Sequence, residues 1–182
     1  MQKSKHNAIK FSLIVAHDQN LGIGKGNRLP WCIPQDLKHF REVTTAVNDA
    51  GLKNAVVMGR KTWDSIPAKQ RPLPKRQNII LTRNESLLLS ELDVLVVKNL
   101  EAAIAKVGEL PCENCFVIGG AEVYRQAMAL SDFDRLYTTE IMGTFDCDVF
   151  FPAYSSFFSA VEQSDWMHDQ SHTFRFCIYE KN

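Results

Sequence analysis

Apolar residues fall into short, nearly continuous runs separated by stretches of helical period. Phe11 to Ala16, Ala55 to Met58, Asn78 to Thr82, Val94 to Val97, Cys115 to Ile118 and Arg135 to Ile141 are of strand length, and several are almost unbroken in Val, Ile and Leu. Unbroken apolarity predicts strands buried on both faces. Thr173 to Glu180 alternates instead, with Phe174, Phe176 and Ile178 on one side. That pattern predicts a half-buried antiparallel strand at an edge.

Helices are predicted between the runs. Gln35 to Val47 carries Leu37, Phe40, Val43 and Val47 at helical spacing after Pro34, a residue suited to a first helical turn. Asn99 can cap a helix that puts Leu100, Ala103, Ile104 and Val107 on one face. Glu122 to Ala129 gives a third helix and Thr62 to Ile66 a short one. Strands alternating with helices predict an α/β fold, a mostly parallel central sheet with helices on both faces. Breaks such as Arg71-Pro-Leu-Pro74 are too short for linkers, so one domain over residues 8–182 is expected, behind a polar extension at 1–7.

Composition narrows this little. With 182 residues, 45% of them hydrophobic and 23% charged, the chain is long enough to bury a core without disulfides or metal. Lys plus Arg and Asp plus Glu both number 21, so no net charge draws it to nucleic acid or an anionic membrane. The start, MQKSKHNAIK, lacks the apolar run of a signal peptide, and no run of about 18 apolar residues exists to span a bilayer. A soluble, cytoplasmic chain is expected. Cys112 and Cys115 form a C-x-x-C, but no second pair or spaced histidines complete a zinc site, so reduced thiols and no metal are expected.

Four places could carry chemistry. Gly22-Ile-Gly-Lys-Gly26 fails as a dinucleotide fingerprint, because Asn27 stands where the third glycine belongs and Arg28-Leu-Pro-Trp31 follows instead of a helix. It reads as a surface loop or as a mobile lid over a site. Gly119-Gly120 and Gly59 each join a strand to a helix, where small residues let a phosphate approach free amides; Arg60, Lys61 and Thr62 follow the second. Asp36 falls on the apolar face of its helix, at i, i+4, i+7 and i+11 with Phe40, Val43 and Val47. There it is either a first-turn partner of the helix dipole or a buried acid with a raised pKa. His168 and His172 lack the Glu of a zinc-protease motif, and Asp146 and Asp148 read as a turn before a strand.

In order, Leu13-Ile-Val-Ala16, Leu21-Gly-Ile-Gly24, Leu29-Pro-Trp31, Val57-Met-Gly-Arg-Lys-Thr-Trp63, Ser65-Ile-Pro67, Arg71-Pro-Leu-Pro74, Asn78-Ile-Ile-Leu81, Val117-Ile-Gly-Gly120, Val123-Tyr124 and Asp148 to Pro152 resemble the dihydrofolate reductases along essentially the whole chain. The stretch Ser65 to Pro74 has the length of animal members, whereas Asp36 is the acid usual in bacterial ones. The resemblance implies a monofunctional enzyme that reduces 7,8-dihydrofolate with NADPH for one-carbon metabolism and for thymidylate and purine synthesis. It also implies an eight-stranded, mostly parallel sheet with an antiparallel C-terminal strand, and a monomer whose partners are the substrate and antifolate inhibitors.

Residue roles are implied in the same way. Asp36 would hold the pterin 2-amino group and N3, with Thr139 bonded to it and Trp31 fixing a water. The carbonyls of Ile14 and Ile118 would face the pterin and the nicotinamide amide. Leu29, Leu37, Phe40, Ile66 and Leu73 would line the slot for the rings, and Arg76 would grip the glutamate α-carboxylate, a task for a planar fork of donors. Ala16, Ile23, Gly24 and Tyr124 would surround the nicotinamide and its ribose. Gly59 to Thr62 (with Arg60 and Lys61) and Gly119, Gly120, Ala121, Glu122 and Val123 would flank the pyrophosphate, Glu122 turning outward. Arg60, Thr82, Arg83 and Lys98 would surround the 2′-phosphate. Two other classes share such a fold, a riboflavin-pathway reductase and a non-catalytic nucleotide-binding module. Absorbance at 340 nm with dihydrofolate and NADPH separates all three.

Overall fold

The apolar runs become the strands of one sheet. The computed structural model describes residues 10–84, 93–169 and 171–182; the extension expected at 1–7 lies outside them. Its elements are β1 (Phe11–His17), β2 (Gly22–Gly24), α1 (Pro34–Thr45), β3 (Lys53–Gly59), α2 (Arg60–Ser65), β4 (Arg76–Leu81), β5 (Val94–Val97), α3 (Leu100–Val107), β6 (Cys112–Val117), α4 (Ala121–Met128), β7 (Phe133–Ile141), β8 (Val149–Phe150), β9 (Phe158–Gln163), β10 (Met167–Asp169) and β11 (His172–Lys181). The main sheet runs β10-β11-β7-β1-β6-β3-β4-β5, with β9 also pairing β11. Pairs from β7 through β5 are parallel, and β11 lies antiparallel on β7.

Alternation along β3 shows how the continuous runs are used. Val56 and Met58 pack with Trp63 of α2 and with Phe40 and Val43 of α1. Ala55 and Val57 pack on the other face with Leu100, Ala103 and Val107 of α3 and Val123 and Ala127 of α4. Both faces are therefore covered by helices. Val56, Val57, Met58, Ile79 and Ile80 are each fully buried, which stabilises the fold by about 1.5–3 kcal/mol per side chain. Asn99 caps α3 as expected, its side chain accepting from the Ala102 amide at 2.9 Å, a contact worth about 1 kcal/mol.

Some local expectations change. The helix of α1 stops at Thr45, so Val47 lies beyond it. The hydroxyls of Thr44 and Thr45 donate back to the Phe40 and Arg41 carbonyls, each at 2.7 Å, and Ala46 turns extended. The outer side of β11 is covered by β10 at its start and β9 at its end. Both lack an apolar run: β9 is exposed at every residue after Phe158. The glycine-rich stretch is partly a ribbon, with β2 pairing antiparallel to β8. Three residues with two glycines give no strand signal; long-range pairing makes this one.

Candidate active site

Parallel packing aligns the carboxyl ends of β1, β6, β3, β4 and β5 along one rim, the usual location of ligands in open α/β sheets. Register sets Ala16 beside Thr139, Gly59 beside Leu81, and Leu81 beside Val97. Residues 60, 82–83 and 98 thus follow three adjacent strand ends.

At the β1–β7 end of this rim stands Asp36, 7% exposed. Thr139 Oγ1 donates to its Oδ1 at 2.6 Å. Burial pushes the carboxyl above its usual range, against the opposing pull of the Thr139 bond. Asp36 also stands in the first turn of α1, so the helix dipole and the buried setting both act on its carboxylate. Trp31 packs in a cluster with Ile33, Ile141 and Phe174 and with half-buried Ala16, Phe145 and Phe176. Its indole Nε1 is buried without a hydrogen-bond partner. A buried donor left unpaired costs about 1–3 kcal/mol, so a water or ligand acceptor suits it. Ile14, Phe40, Ile66, Leu73 and Ile118 share one apolar cluster. Leu29 and Leu37 are not packed into it, being 51% and 55% exposed.

Arg76 lies buried at the start of β4, with no carboxylate in ion-pair range among the described residues. Its Nη1 donates to Thr44 Oγ1 at 2.8 Å and its Nε to the Pro74 carbonyl at 3.1 Å. The guanidinium lies 5.6 Å from the centroid of the Phe40 ring. Burial, with Arg41 adding to it, lowers its pKa to about 10. A buried cation without a counter-ion is costly and fits an anionic ligand. Thr44, which holds Arg76, was not singled out in the sequence, because a threonine in a last helical turn carries no signal of its own. The turn before Arg76 is held by the Asn78 amide, which donates to the Leu73 and Arg76 carbonyls and accepts from the Leu73 amide.

Two helix starts meet further along the rim. The Gly59 amide donates to the Gly119 carbonyl at 2.7 Å, and neither α2 nor α4 has a side-chain cap. The Gly119-Gly120 peptide is cis, with Gly119 at φ 108°. A Cβ on Gly119 would lie 3.0 Å from the Tyr124 ring, one on Gly59 3.2 Å from Val123, and one on Gly120 3.4 Å from Thr62 Oγ1. Close approach here leaves the first-turn amides of both helices without partners from their own caps. Tyr124 is buried, its hydroxyl donating to the Ile14 carbonyl at 2.7 Å. Ala121 opens α4, and Glu122 turns away to Arg125 and Gln126, which holds its carboxyl down near 2.

The cations are less gathered than expected. Arg60 donates to Asp64 at 2.7 Å, and Lys61 is exposed. Arg83 and Lys98 are exposed beside Thr82, whose amide bonds the Val97 carbonyl. Ile23 and Gly24 lie in β2, and a Cβ on Gly24 would sit 3.4 Å from the Arg28 carbonyl.

The dihydrofolate reductase family model matches residues 10–181. The chain is 41% identical to a dihydrofolate reductase of Aedes albopictus over 181 residues, 94% of this chain and 97% of the relative. It is 46% identical to one of Drosophila melanogaster over 158 residues, 84% of this chain and 85% of the relative. A bifunctional dihydrofolate reductase-thymidylate synthase of Glycine max is 41% identical over 147 residues, covering 78% of this chain and 28% of the relative. With the family model matching residues 10–181 and relatives 41% and 46% identical over most of the chain, the chain belongs to the dihydrofolate reductase family.

Proposed function

We propose that this reductase converts 7,8-dihydrofolate to 5,6,7,8-tetrahydrofolate with NADPH, delivering hydride to pterin C6 while N5 gains a proton. The observation that carries the reading is the buried Asp36–Thr139 pair, joined by the unpaired Trp31 indole donor and, at the opposite, amino end of β4, by buried Arg76, which has no carboxylate in ion-pair range among the described residues. Asp36 would accept from the 2-amino group and N3 of the pterin. Those donors compensate the desolvation that otherwise raises its pKa, and its charge increases the basicity of N5 through the ring, with solvent supplying the proton. Thr139 orients the carboxylate, and Trp31 Nε1 would hold a water. Leu29, Leu37, Phe40, Ile66 and Leu73 would line the slot and exclude solvent, and Arg76 would take the glutamate α-carboxylate. The Ile14 carbonyl, already an acceptor for Tyr124, has a lone pair left for the pterin.

The residues fit the nicotinamide dinucleotide. Uncapped α2 and α4 starts, opened by glycines where a Cβ would crowd Val123 or Tyr124, suit a pyrophosphate. NADPH, when bound, supplies the hydride. Arg60, Thr82, Arg83 and Lys98 would hold its 2′-phosphate, Arg60 leaving or sharing Asp64. Ala16, Ile23, Gly24, Ile118 and Tyr124 would enclose the nicotinamide half, the loop from Gly22 to Trp31 covering it. The reading also takes the enzyme as a cytoplasmic monomer of one domain over 8–182; among the described residues no helix is long and apolar enough to cross a membrane. Loss of absorbance at 340 nm that requires both dihydrofolate and NADPH is the expected result. Absence of that loss with pure folded protein would overturn the assignment.

A further inference from the structure

Asp18 is 1% exposed and takes no part in the roles above. It directly follows β1, and its carboxylate is shared between the turn that follows it and a remote segment. Oδ1 accepts from the Asn20 amide at 2.9 Å and the Gly22 amide at 2.8 Å. Oδ2 accepts from the Phe145 amide at 2.8 Å. Gly22 opens β2 in the glycine-rich loop, and Phe145 starts the segment that leads through Asp148 to β8. One buried side chain therefore joins β2, at Gly22, to the segment that leads into β8, at Phe145. Backbone ties flank it: the Phe151 amide donates to the Leu21 carbonyl at 2.7 Å, and Gln19 and Gly143 exchange bonds at 3.1 and 3.0 Å, while the Asp148 amide to the Gly24 carbonyl and the Gly26 amide to Asp148 Oδ2, both at 2.9 Å, lie further out. Lys25–Asp146 is an exposed ion pair, a kind that contributes little.

The backbone of Asp18 is held as firmly. Its amide donates to the Gly22 carbonyl and its carbonyl accepts from the Leu21 amide, both at 3.0 Å. His17 Nδ1 lies 2.8 Å from that carbonyl. A carbonyl can only accept, so Nδ1 carries the proton and, in the neutral ring, Nε2 accepts from Tyr154 Oη at 2.9 Å. On the other side, the Phe145 ring meets Trp31 edge-on, 5.3 Å between centroids. The bridge thus reaches both the loop over the nicotinamide half and the indole of the pterin side.

We propose that Asp18 is a positioning residue for the reduction: by holding Gly22 and Phe145 together it docks the glycine-rich loop over the nicotinamide and seats Trp31. This rests on the loop covering the cofactor as described under the proposed function. Two variants test it. In Asp18→Asn the single oxygen serves one side only, and the amide NH₂ meets an N–H donor on the other. In Asp18→Ser the hydroxyl can still accept from the local Asn20 and Gly22 amides but is too short to reach Phe145 as well.

The measurements are NADPH affinity, affinity for adenosine 2′,5′-bisphosphate (which lacks the nicotinamide half), single-turnover hydride transfer, and amide exchange at Gly22 and Phe145. Both variants are expected to bind the bisphosphate as the parent does. Both are expected to lose roughly 10- to 100-fold in NADPH affinity and hydride transfer, the worth of one charge-assisted hydrogen bond, with faster Phe145 exchange. Unchanged NADPH affinity and hydride transfer would make Asp18 a local staple and overturn the proposal. Equal loss of NADPH and bisphosphate binding would overturn it too, by showing a general loss of structure. If neither variant folds, rapid exchange of the Gly22 and Phe145 amides in the parent would refute the bridge, and protection of both would support it. A parent protein unable to oxidise NADPH with dihydrofolate would overturn the functional reading itself, a failure recognisable without any variant.

Discussion

Thr44→Val tests whether Arg76 is a binding group or part of the core. Valine matches threonine in shape but deletes the hydroxyl that accepts from Arg76 Nη1 at 2.8 Å and donates to the Phe40 carbonyl at 2.7 Å. The residue is fully buried, so water cannot replace the lost acceptor. A hydrogen bond to a charged group is worth about 1.5–3 kcal/mol, and urea melts should show a stability loss of about 1–3 kcal/mol. In the variant, Arg76 keeps its charge and its Pro74 contact but loses its fixed aim, so the ligand must order it on binding. At about 1.4 kcal/mol per tenfold, KM for dihydrofolate should rise roughly 10- to 100-fold. Under the proposed roles hydride transfer takes place near Asp36 and not Arg76, so kcat at saturation should change little. The assay compares dihydrofolate with dihydropteroate, which has no glutamate tail. Only dihydrofolate should suffer. Equal losses with both substrates would refute the reasoning and leave Thr44 as a packing residue.

Further outcomes follow from the same geometry. Arg76→Leu should raise KM for dihydrofolate sharply while sparing NADPH affinity and dihydropteroate turnover; a loss shared by both substrates would make Arg76 structural. Asp36→Asn should bind NADPH yet transfer hydride slowly at neutral pH, the rate recovering as pH falls toward the substrate's own N5 pKa; near-parent transfer at pH 7 would end the catalytic assignment. Because burial raises the Asp36 pKa in the folded state, its ionisation costs stability, and the cost grows as pH rises from the unfolded value of about 3.9 through the raised folded one. Asp36→Asn should therefore be the more stable protein at pH 7, the difference shrinking below about pH 4, as urea melts at both pH values can check. NADPH should be strongly preferred over NADH, and Arg83→Ala with Lys98→Ala should narrow that preference; comparable kcat/KM for the two cofactors in the parent would remove the 2′-phosphate site.

Much of this protein was legible from residue order alone. Unbroken Val, Ile and Leu runs such as Ala55 to Met58 have one low-energy home, a strand covered on both faces, and the helical periods between them supply the cover. Asn99 before Leu100 specified a cap, because capping depends on neighbours three residues away. The family motifs, being short and ordered, contain Trp31, Gly59 and the Gly119-Gly120 pair, and the resemblance they carry pointed to Asp36 and Arg76. Contacts between distant segments were settled only by tertiary structure. The bond from Thr139 to Asp36 joins residues 103 apart and has no trace in local sequence. Thr44 became the support of Arg76 only when α1 came to lie against the start of β4. Strands β2 and β8 exist only through backbone pairing between segments more than a hundred residues apart, and two glycines in three residues have no strand preference of their own. Local sequence sets periodicity and caps through short-range sterics and hydrogen bonds, whereas pairing between remote polar groups is decided by which of them the packed sheet brings within about 3 Å of each other.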